Sequence, residues 1–201
     1  MKQIVVATKN AGKAVEFKDF FKTFGIEAVS LLDIEGPVDD IEETGHTFEE
    51  NAAIKAEAIA NLLGQTVIAD DSGLEIDALD GRPGIYSARY AGESSTDAEN
   101  VEKALKELDQ IPAEERGARF VCVLAVATPG KETVYRTGFC EGHINREPKG
   151  ENGFGYDPIF VPSGYAKTMA ELSKAEKNAI SHRKHAFDQL KDWIMSVQAE
   201  L

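Results

Sequence analysis

Two adjacent carboxylates, Asp70 and Asp71, follow the short apolar run Val67-Ile68-Ala69 and precede Ser72-Gly73. Acids at the end of a buried strand are poorly placed for a core, and they are well placed to bind a metal ion or to act as a general base. Successive side chains of an extended segment point in opposite directions, so the two acids should have different tasks unless Ser72-Gly73 forms a turn that redirects them. The alternative interpretation is an Asx turn that only caps the strand.

A polar turn near the N-terminus, Thr8-Lys9-Asn10-Ala11-Gly12-Lys13, is a second candidate. It lies between a predicted strand and a predicted helix, where free backbone N–H groups and the helix dipole attract anions. The turn is not a P-loop, because that motif requires glycine in place of Ala7 and serine or threonine in place of Ala14. Its threonine, asparagine and lysines can still bind phosphates, and the alternative is an ordinary turn with solvated lysines.

An acidic stretch separates Lys22 from Lys55, and no lysine or arginine lies between them. Most of its carboxylates are expected to form a solvated surface. One or two of them could instead help to hold a magnesium ion, which needs few carboxylates when water and substrate phosphates supply its other oxygen ligands. The acids of this stretch are Glu27, Asp33, Glu35, Asp39, Asp40, Glu42, Glu43, Glu49 and Glu50.

Lys55 lies on the flank of a predicted buried helix face. The apolar arc of that helix consists of Phe48, Ala52, Ala56, Ile59 and Leu63. At about 100° per residue the arc covers roughly 80°, and Lys55 lies roughly 20° outside it. The lysine either extends along the surface to reach water or points into a cleft toward a charged partner, and an anionic ligand would favour the second arrangement.

Two further groups of residues suit a flat ligand with hydrogen-bonding edges. The segment Gly153-Phe154-Gly155-Tyr156-Asp157-Pro158 places aromatic rings between glycines, where a backbone can approach a ligand closely and a phenylalanine can stack on a base. Hydrogen-bond donors gather near the start of the last predicted helix, at Lys177, Ser181, His182 and Arg183. Such donors fit an acceptor-rich edge such as purine carbonyls. The alternatives are an ordinary glycine-aromatic turn and a capped, basic helix terminus.

The predicted elements that position these residues alternate, though not strictly, between strands and helices. Strands are predicted at residues 4–7, 67–69, 120–127 and 133–144, the last two joined by a turn at Pro129-Gly130. Helices are predicted between the polar turn that ends at Lys13 and the stop at Gly25, from the capping box Thr47-x-x-Glu50 to Leu63, from the capping box Thr96-x-x-Glu99 to before Pro112, and over residues 181–198. We therefore expect an α/β fold with a mixed sheet flanked by helices, and two lobes around a cleft fit this order.

Apolar stripes at helical spacing support the first and last of these helices. They consist of Phe17, Phe20, Phe21 and Phe24, and of Phe187, Leu190, Ile194 and Val197.

Length and composition restrict the class of protein. The 201 residues suffice for one domain, or for one domain with two lobes. The net charge of −13 is the reverse of the basic character typical of nucleic-acid-binding proteins. The longest apolar run has 8 residues, far fewer than the roughly 20 that span a bilayer. Without a secretory signal, and with only Cys122 and Cys140, we expect a cytoplasmic protein that has no nucleic-acid or membrane partner.

Six sequence blocks occur in order between Lys2 and the region beyond Arg183. They are Thr8-Lys9-Asn10-Ala11-Gly12-Lys13; Glu42-Glu43-Thr44-Gly45 with Thr47-Phe48-Glu49-Glu50-Asn51-Ala52; Ala69-Asp70-Asp71-Ser72-Gly73-Leu74; Pro83-Gly84-Ile85-Tyr86-Ser87-Ala88-Arg89-Tyr90; Phe154-Gly155-Tyr156-Asp157-Pro158; and residues 177–183. One such block carries little information, whereas six in register are specific. With this set the chain resembles the inosine/xanthosine triphosphate pyrophosphatases.

The resemblance implies a single non-standard purine NTP pyrophosphatase domain over residues 1–201, with an elongated α/β fold of two lobes and the active site between them. The implied activity is Mg²⁺-dependent hydrolysis of XTP, ITP and dITP to the nucleoside monophosphate and pyrophosphate, which keeps these nucleotides out of DNA and RNA. Members of the family are typically cytoplasmic homodimers. Purine nucleoside triphosphates are the implied small-molecule partners.

The resemblance also implies a role for each matching residue. The triphosphate would be held by Thr8, Lys9, Asn10, Ala11, Gly12, Lys13 and Lys55. Glu43 and Asp71 would bind magnesium, Asp71 would accept a proton from the attacking water, and Ser72 would touch the substrate. The choice of Glu43 over Glu42 rests on its spacing to Lys55, and a metal-binding role for Asp70 stays open. The base pocket would consist of Phe154, Gly155, Tyr156 and Asp157, with Phe154 stacking on the base, and the purine edge would contact Lys177, His182 and Arg183.

Two other functions fit the same residues. A phosphatase or general nucleoside triphosphatase would release orthophosphate, and a regulatory protein that senses ITP would bind it without turnover. Asp71 beside a metal-binding carboxylate disfavours the sensor, which needs no acid to activate water. Donors around the purine 6-oxo group account for discrimination against ATP, whereas GTP shares that group and its rejection needs a further cause.

Overall fold

The computed structural model describes residues 2–34 and 41–197. The strands within these residues are β1 (Lys2–Val6), β2 (Ile26–Ser30), β3 (Val67–Ile76), β4 (Gly117–Ala127), β5 (Val134–Ile144) and β6 (Phe160–Pro162). They form one sheet in the order β2-β1-β3-β4-β5-β6. β1 is parallel to β2 and to β3, and β5 is antiparallel to β6. The predicted mixed sheet of an α/β fold is confirmed.

The α-helices of the described residues are α1 (Ala11–Lys22), α2 (Phe48–Leu63), α3 (Asp97–Glu107), α4 (Lys174–Ile180) and α5 (His182–Val197). Side-chain caps predicted from the sequence begin two of them. Thr47 accepts the N–H of Glu50 at the start of α2, and Thr96 with Glu99 completes a capping box at α3. Gly64, with a φ of 66°, ends α2 in the left-handed conformation that favours glycine. Within the described chain, no helix combines the length and the apolar character needed to cross a membrane.

The chain divides into two compact units. Of the described residues, the first unit contains those up to Asp71, Val123–Thr137 and those from Ala186 onward, and the second contains Ser72–Cys122 and Gly138–His185. The strands β3, β4 and β5 therefore contribute residues to both units.

Aromatic side chains of α1 and α5 pack together in the core of the first unit. Phe17 and Phe21 are fully buried. Phe20 stacks on Phe187 with ring centroids 4.4 Å apart, and Phe17 meets the same ring edge-on at 4.9 Å. Each aromatic side chain buried in this way stabilises the fold by about 1.5–3 kcal/mol. The apolar stripes of both helices therefore face each other, although Phe24 lies beyond the end of α1.

The second unit has an apolar core and a buried arginine. Leu74, Leu108 and Phe160 have no exposed surface, and Arg116 is 2% exposed. The guanidinium group of Arg116 donates hydrogen bonds to three backbone carbonyls, so this buried cation has hydrogen-bond partners in place of water. Cys122 and Cys140 are free and buried.

The strand β3 is longer than predicted and decides between the alternatives for its two acids. The predicted strand ends at Ala69, whereas β3 continues through Ser72-Gly73 to Ile76, so Ser72-Gly73 forms no turn and the Asx-turn alternative is wrong. Leu74 and Ile76 are fully buried, and the N–H of Leu74 donates to the hydroxyl of Ser87 at 2.9 Å. This packing and pairing outweigh the local turn preference of a Ser-Gly pair.

The C-terminal region corrects another prediction. The separate helix α4 precedes α5 and is capped by Ser173, whose hydroxyl accepts the N–H of Glu176. Lys177 therefore lies on α4 rather than at the start of the last helix. The last helix begins at His182, and its predicted end at Gln198 lies outside the described residues.

Candidate active site

The two acids of β3 pair with lysines from different helices. Asp70 is 3% exposed, and its Oδ2 atom lies 2.8 Å from Nζ of Lys13 on α1. Asp71 is 7% exposed, and its Oδ1 atom lies 3.8 Å from Nζ of Lys55 on α2. Since successive side chains of a strand point to opposite faces, the acids have separate partners, which is the arrangement expected for an extended segment.

Lys55 points toward charged partners rather than along the surface. Its side chain is 15% exposed, and its Nζ atom lies 2.5 Å from Oε1 of Glu43. Burial acts to lower the pKa of Lys55, but the carboxylates of Asp70, Asp71 and Glu43 outweigh it and raise the pKa above its ordinary value. The lysine is therefore a permanent cation that can bind a phosphate oxygen.

Burial raises the pKa of Asp71 to about 6. Glu43 acts in the same direction, whereas Lys55, hydrogen bonding from Asn51 and the charge of Lys13 lower the pKa. A carboxyl group with this pKa is ionised at neutral pH and is more basic than an exposed aspartate. Asp71 therefore has the acid-base property that a general base requires.

One cavity of the first unit brings the polar turn together with the lysine-carboxylate pairs. The cavity has a volume of about 320 Å³ and is lined by Ala7, Thr8, Lys9, Asn10, Lys13, Leu31, Ile41, Glu43, Lys55 and Asp70. Residues from separate sequence blocks therefore share one space, with three lysines among its walls.

The polar turn between β1 and α1 is organised by its own side chains. The Oδ1 atom of Asn10 accepts the N–H of Lys13 at 3.0 Å and caps α1, and the N–H of Asn10 donates to Oγ1 of Thr8 at 3.2 Å. Ala11 and Gly12 are the first two residues of α1. Helix N-termini present backbone N–H groups and a positive dipole end, so this end of α1 attracts an anion. The predicted strand-turn-helix placement is confirmed.

The donor set of this site suits a magnesium ion that shares its ligands with a substrate. The oxygens of Glu43 and Asp71 lie within about 6 Å of each other, because both contact Nζ of Lys55, at 2.5 and 3.8 Å. Among the side chains of residues 2–34 and 41–197, no group of three or more metal-ligating residues could hold an ion. Mg²⁺ needs only one or two carboxylates when phosphates and water complete its shell, so these residues fit an ion bound together with a triphosphate.

The other described acids of the acidic stretch have different surroundings. Glu27, Glu42 and Glu49 are exposed. A hydrogen bond from Lys18, supported by Ser30, lowers the pKa of Asp33 to about 2. Glu50 accepts the backbone N–H of His46. The predicted candidates Glu35, Asp39 and Asp40 lie outside the described residues.

In the second unit, the ring of Phe154 lies beside a charged pair. The residue is 50% exposed, and Nζ of Lys177 lies 4.5 Å from the centre of its ring. Lys177 forms an ion pair with the buried Asp157, and Oδ2 of Asp157 also accepts the N–H of Phe154 at 2.9 Å. The carboxylate of Asp157 therefore holds both the backbone of Phe154 and the side chain of Lys177. The ring of Phe154 offers a face for stacking.

The remaining residues assigned to the base pocket also belong to the second unit. Tyr156 is buried, and its hydroxyl donates to the carbonyl of Ser87 at 2.7 Å, so this hydroxyl serves the fold. The ring of His182 stacks on Phe120 with centroids 5.1 Å apart. Arg183 is 3% exposed. Gly155 and Ser72 are half-buried, and Ser72 directly follows Asp71 on β3.

Two residues beside these groups were not predicted individually. Oδ2 of Asp97, at the start of α3, accepts the N–H of Gly155 at 2.6 Å across 58 positions of sequence, and no local pattern signals such a contact. Asn51 is fully buried on α2, one helical turn before Lys55. A polar residue next to an apolar helix arc signals a hydrogen-bonding role, so Asn51 could have been found from the sequence.

Known proteins are similar to this chain over nearly its whole length. The model of the Ham1 family matches residues 4–193. A protein of Oceanobacillus iheyensis named dITP/XTP pyrophosphatase is 64% identical over 98% of this chain and 100% of its own length. A Bacillus subtilis protein of the same name is 56% identical over 94% of this chain and 96% of its own length.

Solved structures show the same similarity. The Ham1 protein of Staphylococcus aureus has a TM-score of 0.89 at 48% identity and covers 97% of this chain and 99% of its own. A HAM1 protein from Coxiella burnetii has a TM-score of 0.90 at 43% identity and covers 98% of this chain and 100% of its own. Identity at this level over full-length chains extends beyond a shared fold to a common family.

Proposed function

The chain belongs to the Ham1 family, and from this premise we propose that it is a Mg²⁺-dependent nucleoside triphosphate pyrophosphohydrolase. Its substrates are ITP, dITP and XTP, and its products are the nucleoside monophosphate and pyrophosphate. The name dITP/XTP pyrophosphatase of its relatives supports this reaction. The observation that carries the proposal is the cavity that places Lys13 and Lys55 beside Glu43 and Asp70, with Asp71 paired to Lys55.

The lysine-carboxylate pairs allow an acidic chain to bind a polyanion. A triphosphate carries about four negative charges, which must be neutralised locally. Lys13 and Lys55 each lie against a carboxylate. On substrate binding, each ammonium group moves to a phosphate oxygen, and the movement of Lys55 makes Glu43 and Asp71 available to hold Mg²⁺. Lys55 and its two carboxylates therefore each exchange one partner of opposite charge for another.

The chain's residues supply the proton transfer and the positioning. Mg²⁺, when bound, would stabilise the negative charge that develops on the phosphoryl oxygens. Asp71 accepts a proton from the attacking water while the water oxygen bonds to the α-phosphorus. The bond from that phosphorus to the oxygen bridging the α- and β-phosphates breaks, and pyrophosphate leaves with the electron pair. Lys13 and Lys55 stabilise the departing phosphates.

Base selection is assigned to the second unit. Phe154 would stack on the purine, and Lys177, His182 and Arg183 would donate to its 6-oxo edge. Adenine presents a 6-amino group there, and each mismatched buried donor costs about 1–3 kcal/mol. Several such mismatches give the discrimination between ITP and ATP that the proposed activity needs.

The proposed reaction is tested by following both phosphate products. With Mg²⁺ and a panel of ITP, dITP, XTP, dATP and dGTP, we expect stoichiometric pyrophosphate from the first three, measured by a coupled pyrophosphate assay and by phosphorus NMR. Orthophosphate as the first product would instead indicate a phosphatase or general triphosphatase. Tight ITP binding without turnover would indicate a sensor.

The contact of Asp97 with the segment 153–158, which carries Phe154, leads to a second prediction. Asp97→Ala removes the carboxylate that accepts the N–H of Gly155. We expect the KM for ITP to rise about fivefold with little change in kcat. The lost hydrogen bond positions the segment that carries the stacking ring of Phe154, and such a bond contributes a net free energy of about 1 kcal/mol. Steady-state kinetics measure the change.

Two control variants separate positioning from charge in this experiment. Asp97→Asn keeps a side-chain oxygen that can accept the same N–H, so we expect its KM to stay near that of the wild type. Glu102→Ala removes an exposed acid from the same helix and should leave the KM unchanged. Equal KM values for Asp97→Ala and Glu102→Ala would contradict the positioning role.

A further inference from the structure

Residues 83–90 form the one sequence block of the six that contains no residue assigned to substrate or metal. In the second unit, Gly84–Arg89 fold into a short 3₁₀ helix, and Ser87 is 8% exposed. The hydroxyl of Ser87 donates to a carbonyl of its own helix at 2.6 Å and accepts the N–H of Leu74 on β3 at 2.9 Å. Its backbone carbonyl accepts the hydroxyl of Tyr156 at 2.7 Å. One buried serine therefore contacts both a strand and a distant aromatic residue.

Both partners of Ser87 lie next to residues assigned to the substrate. Leu74 follows Ser72 by two positions on β3. Tyr156 follows Phe154, whose ring is assigned to stacking on the base, by two positions as well. Because neighbouring residues are joined by bonds of fixed length, a displacement of Leu74 or Tyr156 is passed on to Ser72 or Phe154. Ser87 can therefore influence two substrate contacts without touching the substrate.

Three segments of the second unit hold one another in place. The segment 153–158 is bonded to the 3₁₀ helix through Tyr156 and to α3 through Gly155. The third link joins α3 to the 3₁₀ helix, because Asn100, 2% exposed, donates to the carbonyl of Ala88 at 3.2 Å. The segment that carries the stacking ring is therefore held from two sides, and its two supports also hold each other.

We propose that Ser87 is a positioning residue for base recognition, which keeps the segment 153–158 and β3 at a fixed separation so that Phe154 and Ser72 contact the same nucleotide. The proposal rests on the proposed function, because that nucleotide is the proposed substrate. The residues assigned to the triphosphate and to proton transfer belong to the first unit. Loss of the Ser87 contacts should therefore weaken binding of the base and leave the rate of the chemical step unchanged.

Ser87→Ala and Tyr156→Phe each remove one hydroxyl from these contacts. The net free energy of one hydrogen bond corresponds to a factor of about 2 to 10 in binding. We therefore expect each variant to raise the KM for ITP about fivefold and to leave kcat within about twofold of the wild type, as measured by steady-state kinetics. Ser94→Ala and Tyr165→Phe change exposed residues of the second unit, and these matched controls should alter neither parameter.

Inorganic tripolyphosphate separates positioning of the base from a general loss of structure. It carries a chain of three phosphates without a base, and its expected partners Lys13 and Lys55 belong to the first unit. As a competitive inhibitor, it should therefore have a Ki within about twofold of the wild-type value in Ser87→Ala and Tyr156→Phe. A Ki that rises as much as the KM for ITP would overturn the proposal, and so would KM values equal to those of the controls.

Amide hydrogen exchange without nucleotide measures the hold on the segment directly. The N–H of Phe154 donates to Asp157, and we expect it to exchange at least about tenfold faster in both variants than in their controls. Tyr156→Phe decides alone if Ser87→Ala does not fold, because it keeps the ring and loses only the bond to the Ser87 carbonyl. If the wild type releases no pyrophosphate from ITP, the proposed function fails, whereas unchanged exchange at Phe154 in the folded variants contradicts the role of Ser87.

Discussion

Asp71→Asn is expected to lower kcat for ITP by about 10³-fold or more while the Kd of the nucleotide stays within about threefold. The variant keeps the shape of the side chain and the neighbouring Lys13 and Lys55, so the triphosphate retains its cationic partners. It loses the group that accepts a proton from water and one of the two acids assigned to Mg²⁺. Single-turnover kinetics and nucleotide titration measure the two quantities separately. A kcat within tenfold of the wild type would show that another group activates the water.

The same variant should make the metal-free protein more stable above pH 6. Burial raises the pKa of Asp71 to about 6, above its ordinary value of 3.8. The folded state therefore favours the protonated form, and the free energy of unfolding falls as the pH rises from about 3.8 to about 6, with the full loss present above that range. Asparagine carries no such charge, so we expect a gain of up to about 2 kcal/mol at pH 8 and almost none at pH 4. Thermal unfolding at the two pH values, with a chelator present, measures the difference.

Asp33→Asn is the matched control, because its charge has the opposite effect. The hydrogen bond from Lys18 lowers the pKa of Asp33 to about 2, so its ionised form stabilises the fold above the ordinary pKa, and this contribution is lost as the pH falls toward 2. Asp33→Asn should therefore destabilise the protein slightly at pH 8 and leave turnover unchanged. A lower stability for Asp71→Asn at pH 8 would show that its pairing with Lys55 outweighs its burial.

The elements that local sequence determines were predicted well. The bounds of α2 follow from the cap at Thr47 and the left-handed Gly64, both of which act within one helical turn. The polar turn before α1 follows from an apolar strand and the capping residue Asn10. Glu43 was favoured over Glu42 by its spacing to Lys55, and Glu43 contacts that lysine whereas Glu42 is exposed.

Contacts between distant segments account for what the sequence did not predict. Ser72-Gly73 favours a turn locally, but the buried Leu74 and Ile76 keep β3 extended through it. Which lysine pairs with Asp70 and which with Asp71 depends on the packing of α1 and α2 against the sheet, and no local pattern encodes that choice. By contrast, the helix α4 was predictable, because Ser173 and Glu176 form a capping box before it.

Lys55→Ala is expected to raise the KM for ITP by about 10- to 100-fold, since one hydrogen bond between charged groups contributes about 1.5–3 kcal/mol. It should also lower the free energy of unfolding of the metal-free protein by about 2–4 kcal/mol, because Glu43 and Asp71 lose the cation between them. Steady-state kinetics and denaturant unfolding measure the two effects.

Lys18→Ala is the matched control for this lysine, because it breaks an ion pair of the first unit whose two side chains are about 40% exposed. Exposed pairs contribute about 1 kcal/mol or less, so this variant should change stability little and the KM not at all. Mg²⁺ should recover part of the stability lost in Lys55→Ala and none of that lost in Lys18→Ala, because only the first variant leaves two carboxylates that a cation can bridge. An unchanged KM in Lys55→Ala would limit Lys55 to neutralising these acids, and Lys13 with the N-terminus of α1 would then have to hold the triphosphate.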